Sequence, residues 1–434
     1  MRKLLAALLF LLTGVVFSQP AVVVDTVPVT LNVAEEQFLK NNYFLLAQKY
    51  NVDAAKALVK QARLFNNPNI YYENSIYNKF SGQYFPTALG TWGDYKTQGE
   101  FLVQFNWLFS IAGKRNKTVK VAKAQADVAQ YQFDDLIRTL LFALRSDFYQ
   151  LHYGLQSLNL FNSEIKSVTN IVSGFEDQYN KGNISLRELT RVRALLFSLQ
   201  NDRLALYNSL QQTLKEFSVL LNNNKTAWYK PELNEAEAEG KYNTSKLVLA
   251  DLVAQAQQNR PDYKSVQSQV AAAEANLKLQ KAMGVPDVTA QGVFDRNGSY
   301  IPNYSAAAIS IPIVLFNRNQ GNIQAAKMQV EANNQLLQQK QVSVQNDVFA
   351  AYQKVLETNN LNASLSKNFS ADFNTVLNGA QLNYEKKNLS LIEFVDLFES
   401  YKQSMLQYYG IKAQRYSAFE ELNFNVGKDV FTKQ

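Results

Sequence analysis

The sequence predicts a mainly α-helical chain with a transmembrane β part, built as two tandem repeats of helix, β-hairpin, long helix, reversal and helix. Three observations carry this. First, the chain contains itself twice. Tyr179, Lys181, Asn183, Ile184, Ser185, Leu186, Glu188 and Leu189 recur 205 positions later as Tyr384, Lys386, Asn388, Leu389, Ser390, Leu391, Glu393 and Phe394. Upstream, Asn41, Val52, Ala54, Ala55, Ala57 and Pro68 recur 218 positions later as Asn259, Val270, Ala272, Ala273, Ala275 and Pro286. An internal repeat of this length constrains the whole architecture. Second, none of the nine prolines lies between Pro86 and Pro231 or after Pro312. Proline breaks helix interiors, so two stretches of more than a hundred residues are open to very long helices. Third, each repeat carries segments that alternate with period two, the mark of strands with two unlike faces.

Residues 1–18 read as an export signal: Arg2 and Lys3, an apolar run from Leu4 to Val16, then Val16 and Ser18 at the −3 and −1 sites. The run is too short for a spanning helix. The first repeat covers 19–221. Its β-hairpin occupies about 68–110, where Phe101, Val103, Phe105 and Trp107 alternate with Glu100, Leu102, Gln104 and Asn106. Its long helical hairpin occupies about 112–221. Ala122, Ala126, Ala129, Phe133, Leu136 and Leu140, then Leu144, Phe148, Leu151, Leu155 and Leu158, form a heptad seam. The helix from about Ala112 to Tyr179 would run roughly 100 Å at 1.5 Å per residue. Lys181, Gly182 and Asn183 supply its stop, and Ser185 with Glu188 has the spacing of a capping box for the return helix.

Residues 222–246 read as a surface connector packed outside the helices, with Asn222, Asn223 and Asn224, then Pro231, then Glu235, Glu237 and Glu239. The second repeat covers 247–427. Its β-hairpin spans about 286–314. One strand has Val288, Ala290, Gly292 and Phe294 on one face; the other has Ala307, Ile309, Ile311 and Ile313. Its helical hairpin spans about 321–425, with seam residues Val330, Leu337, Val344, Val348 and Tyr352. Ser390 and Glu393 repeat the capping box, while Lys386 and Lys387 replace the glycine. Residues 428–434 form a tail. The two offsets differ by 13, which places the longer loop in the first β-hairpin.

Strands of about ten residues with aromatics near their ends fit a transmembrane barrel. On pattern alone a soluble two-hairpin sheet competes; the export signal favours the membrane. Four strands cannot close a barrel, and open edges are not tolerated in lipid, so several chains are required. Tyr71, Tyr72, Tyr77, Trp92, Tyr95 and Trp107 suit an aromatic girdle at the outer-membrane lipid, although such residues also fill cores.

Composition excludes other classes. There is no cysteine, hence no disulfide and no N-terminal cysteine to lipidate. One histidine, His152, reads as a packed side chain, since metal sites need several converging groups. The net charge of +7 is carried by basic residues spread along an exported chain, so no nucleic-acid partner is expected. No nucleophile–base pattern, phosphate loop or metal cluster stands out; no catalytic residue, cofactor or bound metal is expected.

The order of elements resembles the TolC-type outer-membrane efflux channel family over nearly the whole mature chain. Pro68 and Pro286 sit where that family's first helix gives way to a strand. Phe109, Gly113, Lys114 and Arg115 resemble its strand-to-helix passage, and Pro312, Phe316, Asn317, Arg318, Asn319, Gln320 and Gly321 resemble the second. Tyr179 with Gly182, Asn183 and Ser185 resembles its tip turn. The Phe-Asn-Arg-Asn-Gln-Gly stretch is most similar to the CzcC/CusC-like heavy-metal efflux branch.

The resemblance implies a homotrimer with a 12-stranded β-barrel on a periplasmic α-helical tube. It implies a passive exit duct working with a periplasmic adaptor (membrane fusion protein) and an inner-membrane RND-type pump. Glu393 and Asp396 match acidic positions that ring the periplasmic entrance, where they would favour cations; for Glu393 the capping box is a competing reading. The reversals, with Lys181, Gly182, Asn183 and Ser185 in one repeat and Lys386, Lys387, Asn388 and Ser390 in the other, would meet the adaptor. A protein-secretion or drug-efflux duct of the same family, or an exported coiled-coil structural protein, are the alternatives.

Overall fold

A single helix sets the scale of the molecule: Lys114–Asn180 runs unbroken for 67 residues, about 100 Å at 1.5 Å per residue. The computed structural model describes residues 25–86, 99–222, 227–296, 301, 303–365, 375, 379, 383–384, 386 and 388–431. The expected export signal, Trp92, Tyr95 and Lys387 lie outside the described residues.

In chain order the first repeat comprises β1 (Asp25–Val29), α1 (Leu31–Asn41), α2 (Tyr43–Gln61), β2 (Asn69–Asn74), β3 (Tyr77–Asn78), β4 (Gln83–Tyr84), β5 (Phe101–Phe109), α3 (Lys114–Asn180) and α4 (Leu186–Leu221). The connector holds β6 (Ala227–Pro231) and α5 (Glu235–Lys241). The second repeat holds α6 (Leu249–Asn259), α7 (Pro261–Met283), β7 (Val288–Arg296), β8 (Tyr304–Ser310), α8 (Gln320–Ser364) and α9 (Leu391–Val426).

The helices begin and end where local chemistry dictates. Asn42 caps α2 by accepting the Leu45 N–H at 3.0 Å. Pro261 opens α7, where its missing N–H costs nothing. Gly113 and Asn319 precede α3 and α8 in the same left-handed conformation, φ +66° and +63°. Thus both strand-to-helix passages are built alike, with the two residue types that adopt this conformation most readily.

Helix α3 is the spine. It packs on α2 and α7 toward the sheet, on α4 toward the other end, and on α9; α8 packs on α7 and α9. Of the expected seam, Ala126, Leu144, Phe148, Leu151 and Leu158 are buried, as are Val344 and Val348 of α8. Each fully buried side chain of this size contributes roughly 1.5–3 kcal/mol. Gly154 lies at the α3–α4 crossing, where a Cβ would press on the Leu210 side chain.

The four main strands form one antiparallel sheet in the order β2-β5-β7-β8. The hairpins of the two repeats are joined by β5 pairing with β7, from Phe101↔Arg296 to Phe109↔Val288. Strand β8 stops at Ser310. Ile311 and Ile313, expected to continue it, lie in an irregular segment; Pro312 between them has no N–H to pair. The connector is more than a surface cover. Strand β6 pairs in parallel with β1, and Tyr229 and Tyr242 are buried in the main core. The Tyr242 ring stacks on Phe419 at 4.5 Å, and Phe431 of the expected tail packs against both.

Candidate functional site

The features that bear on function lie at the two ends of the helices and at one point between them. At the sheet end, register decides which side chains share a face, because directly paired residues point the same way. Ile70 pairs with Phe105, Tyr72 with Val103, Val103 with Phe294, Trp107 with Ala290, and Ala290 with Ile309. These belong to one mainly apolar face, which also holds Asn74, Arg296 and Ser305. Edge-on contacts of Phe101 with Tyr72 at 5.5 Å and with Phe294 at 6.2 Å run across it. The opposite face carries Asn69, Tyr71, Glu73, Gln104, Asn106, Thr289, Gln291 and Asp295, with Leu102, Leu108, Val293, Ala306 and Ala308 among them.

The aromatic residues singled out in sequence therefore separate. Tyr72 and Trp107 are on the apolar face. Trp107 sits at its helix end, with Nε1 donating to the Asn66 carbonyl at 2.9 Å. Tyr71 is on the polar face and donates its hydroxyl to Glu73 at 2.7 Å, so it cannot share a belt with Tyr72. Tyr77 stands on the small β3–β4 hairpin against Tyr84, rings 4.9 Å apart.

At the far end, two reversals repeat down to single hydrogen bonds. Gly182 turns the chain at φ +75°. The Asn183 N–H bonds the Gln178 carbonyl at 2.9 Å, and 205 positions on the Asn388 N–H bonds the Asn383 carbonyl at 2.8 Å. Lys181 pairs with Asp177 one turn back. Both capping boxes form. The Ser185 N–H donates to Glu188 at 2.7 Å and the Ser390 N–H to Glu393 at 2.9 Å. These bonds from the serine hold both carboxyls below the usual range.

The two tips share one apolar cluster of Phe161, Val168, Ile171, Val192, Leu195, Phe394 and Phe398. Tyr384 of the second tip stacks on Phe175 of the first at 5.8 Å. Burial, then the nearby Glu188 charge, push its hydroxyl up to about 12. Glu393 and Asp396 are exposed, on the side of α9 away from buried Phe394 and Phe398. One Glu393 oxygen serves the cap, and Asp396 makes no ion pair among the described residues. The corresponding positions in the first repeat are Glu188 and Arg191. An acidic pair thus marks only the second tip, with Lys386, Asn388 and Ser390 exposed beside it.

Between the ends lies a group that the sequence reading missed. Glu164 of α3 is 2% exposed, and neither carboxyl oxygen has a hydrogen-bond partner. Lys402 of α9 is the nearby cation, but it is paired with Glu399 at 2.7 Å and with Asp202 of α4 at 3.1 Å. Burial pushes the Glu164 carboxyl up to about 8, against the pull of Lys402. The signal was available: Phe161, Glu164, Val168 and Ile171 step by three and four, so a carboxyl occupies a seam position.

This has a measurable consequence. A carboxyl whose folded pKa is raised binds more protons folded than unfolded. Its stability is therefore fully present below about 4.5 and is lost as pH rises toward 8. Glu164→Gln is expected to leave melting unchanged near pH 5 and to raise the melting temperature by several degrees at pH 8.5. Thermal scans at the two pH values check this; equal shifts at both would refute it.

His152 is buried, its Nδ1 3.0 Å from the Pro231 carbonyl oxygen. Among the described residues no group of acidic or histidine side chains could hold a metal ion, and no helix is long and apolar enough to cross a membrane.

The model of the outer membrane efflux protein family matches residues 35–223 and 252–427. The cobalt-zinc-cadmium resistance protein CzcC of Cupriavidus metallidurans is 18% identical over 402 residues, 92% of this chain and 90% of that protein. A solved structure of CusC superposes with a TM-score of 0.73 at 16% identity, covering 92% of each chain. The CmeC outer membrane channel of Campylobacter jejuni gives 0.72 at 13% identity, covering 92% of this chain and 86% of that one.

Proposed function

The chain belongs to the outer membrane efflux protein family, and on that premise we infer its working form. The protein is an outer-membrane exit duct of a tripartite efflux system. Its helices extend into the periplasm and it conducts substrate passively. Three copies each contribute β2, β5, β7 and β8 to one twelve-stranded barrel, and their helices close a tube beneath it. A periplasmic adaptor seats on the tips, an inner-membrane RND-type pump supplies the energy, and no catalysis or cofactor is required of this chain.

The observation that carries this reading is the sheet. One face is mainly apolar and the other carries most of the polar side chains, the arrangement needed between lipid and a water-filled lumen. Its outer strands β2 and β8 have no partner on their free sides among the described residues. In lipid such edges must be satisfied by another chain. An exported coiled-coil scaffold would have no use for such a sheet.

Divalent cations are the cargo we propose. The relative named for cobalt, zinc and cadmium resistance supports this, as does the acidic pair Glu393 and Asp396 at the second tip, since carboxylate rings attract cations. A deletion strain is expected to become hypersensitive to cobalt, zinc or cadmium salts. Its outer-membrane fractions should lose a heat-modifiable trimer seen in the parent. Hypersensitivity to antibiotics or dyes alone would replace the cargo; a protein that migrates as a monomer without heating would remove the trimer.

A further inference from the structure

We propose that the junction between sheet and helices binds the headgroups of anionic phospholipids in the membrane leaflet next to the helices, with Arg63, Arg115 and Arg318 as the phosphate-binding groups. The inference rests on the reading of the sheet as a membrane barrel.

Charge distribution is the first argument. The sheet-side ends of α2, α3, α7 and α8 with their connections, residues 53–68, 110–127, 274–287 and 311–331, hold twelve lysines and arginines and five acids. Among them Lys114 pairs with Asp287 at 2.8 Å. The rest of the chain holds 32 basic and 32 acidic residues, so the net charge of +7 arises in these segments. A solvated mixed surface does not segregate charge in this way. The three arginines are those nearest the sheet: Arg63 follows α2, Arg115 is in the first turn of α3, and Arg318 precedes α8. None makes an ion pair among the described residues.

Apolar surface lies exposed at the same level. Phe316 is 90% and Ile313 84% exposed, and Phe65 and Phe109 are exposed as well. The Arg115 guanidinium lies 3.8 Å over the Phe65 ring, which orients a planar cation while leaving its edge free. Beside it opens a cavity of about 500 Å³ whose walls include Phe65, Trp107, Phe109, Met283 and Arg115, together with the Lys114–Asp287 pair. An apolar wall toward the sheet and a cation toward the helices are the two chemistries of a phospholipid, in the order in which a membrane presents them. A free phosphate would use only the cations. Arginine meets a phosphate with two parallel N–H donors, a geometry that lysine does not offer.

The test is native mass spectrometry of the full-length protein in mild detergent, titrated with phosphatidylglycerol or phosphatidylcholine. Wild type is expected to retain phosphatidylglycerol preferentially. Combined Arg63→Gln, Arg115→Gln and Arg318→Gln should lower retention at least tenfold, since each basic group at an anionic surface contributes about 1 kcal/mol, a factor of about five. Arg→Lys at the same three positions keeps the charge and loses the paired donors; it should retain more lipid than the glutamine variant and less than wild type, which separates charge loss from misfolding. Millimolar inorganic phosphate should not displace the lipid. Equal retention by wild type and the glutamine variant, equal retention of the two lipids, or displacement by phosphate would each overturn the proposal. So would a wild type that retains neither lipid because a second copy covers the arginines. Conductance of the same preparations in phosphatidylcholine bilayers reports on the barrel separately: channels without lipid preference remove this site and leave the duct.

Discussion

Gly182→Trp is expected to abolish efflux-dependent resistance while the protein remains in the outer membrane at its normal abundance. Gly182 adopts φ +75°, and a Cβ built there meets nothing within 4 Å. The indole would project into solvent from the tip and disturb no packing. The backbone cost is that of a non-glycine residue in a left-handed cap, about 1 kcal/mol. That is small beside the apolar cluster under the tips, where Phe394 is 1% and Val168 0% exposed. Folding should survive, and a partner docking on the tip should not fit. Gly182→Asn tolerates the same conformation with a small side chain and should stay near wild type. Leu389→Asp tests the second tip, although Leu389 packs partly on the same cluster. Growth in graded metal salts, with immunoblots of outer-membrane fractions, reads both quantities. Full resistance of Gly182→Trp would mean that this tip is not a docking surface.

The second large effect is expected at Glu393 and Asp396. Glu393 holds the Ser390 N–H at 2.9 Å, so alanine there would remove a helix cap as well as a charge. Glu393→Gln with Asp396→Asn removes only charge, because glutamine can still complete a capping box. In a trimer the pair supplies six carboxylates to one ring. Losing them should lower the cation-to-anion permeability ratio about fivefold or more, taking about 1 kcal/mol for a charge at contact distance in water. Asp396→Asn alone should give a substantial part of this, since Asp396 has no cap to serve. The serine bonds hold the Glu393 carboxyl low, so its charge, and the selectivity it confers, should persist at neutral pH and fall only as pH drops below the usual carboxylate range. Reversal potentials across a salt gradient measure the ratio. An unchanged ratio in the double variant would leave Glu393 as a helix cap alone.

Much of the fold was legible because its signals are local. A glycine in a reversal, a serine three residues before a glutamate and a heptad seam each act within a few residues, and tips, caps and the long helix α3 stand where those residues place them. The same locality explains what was missed. Nothing within either hairpin states that β5 pairs with β7; residues about 180 positions apart, such as Trp107 and Ala290, set that register through the tertiary fold. Tyr71 and Tyr72 were grouped by aromatic character although period two puts neighbours on opposite faces. The acidic run of the connector suggested a solvated surface. In the fold Glu239 instead bonds Arg415 at 2.5 Å and lies 3.4 Å from Lys412, while Tyr229 and Tyr242 fill the core. Glu164 was passed over because apolar periodicity is usually read for its hydrophobic members. An ionisable residue inside the pattern is as informative, since burial makes its charge costly.

The central claim is that this chain builds a water-filled conduit across a membrane from its own strands. Planar-bilayer recording of the purified full-length protein tests it most directly. The expected result is discrete, long-lived conductance steps of uniform size, cation-selective in wild type and less so in the Glu393→Gln, Asp396→Asn variant. Protein that is folded by circular dichroism and recovered in the bilayer, yet gives no steps above the lipid baseline, would contradict it.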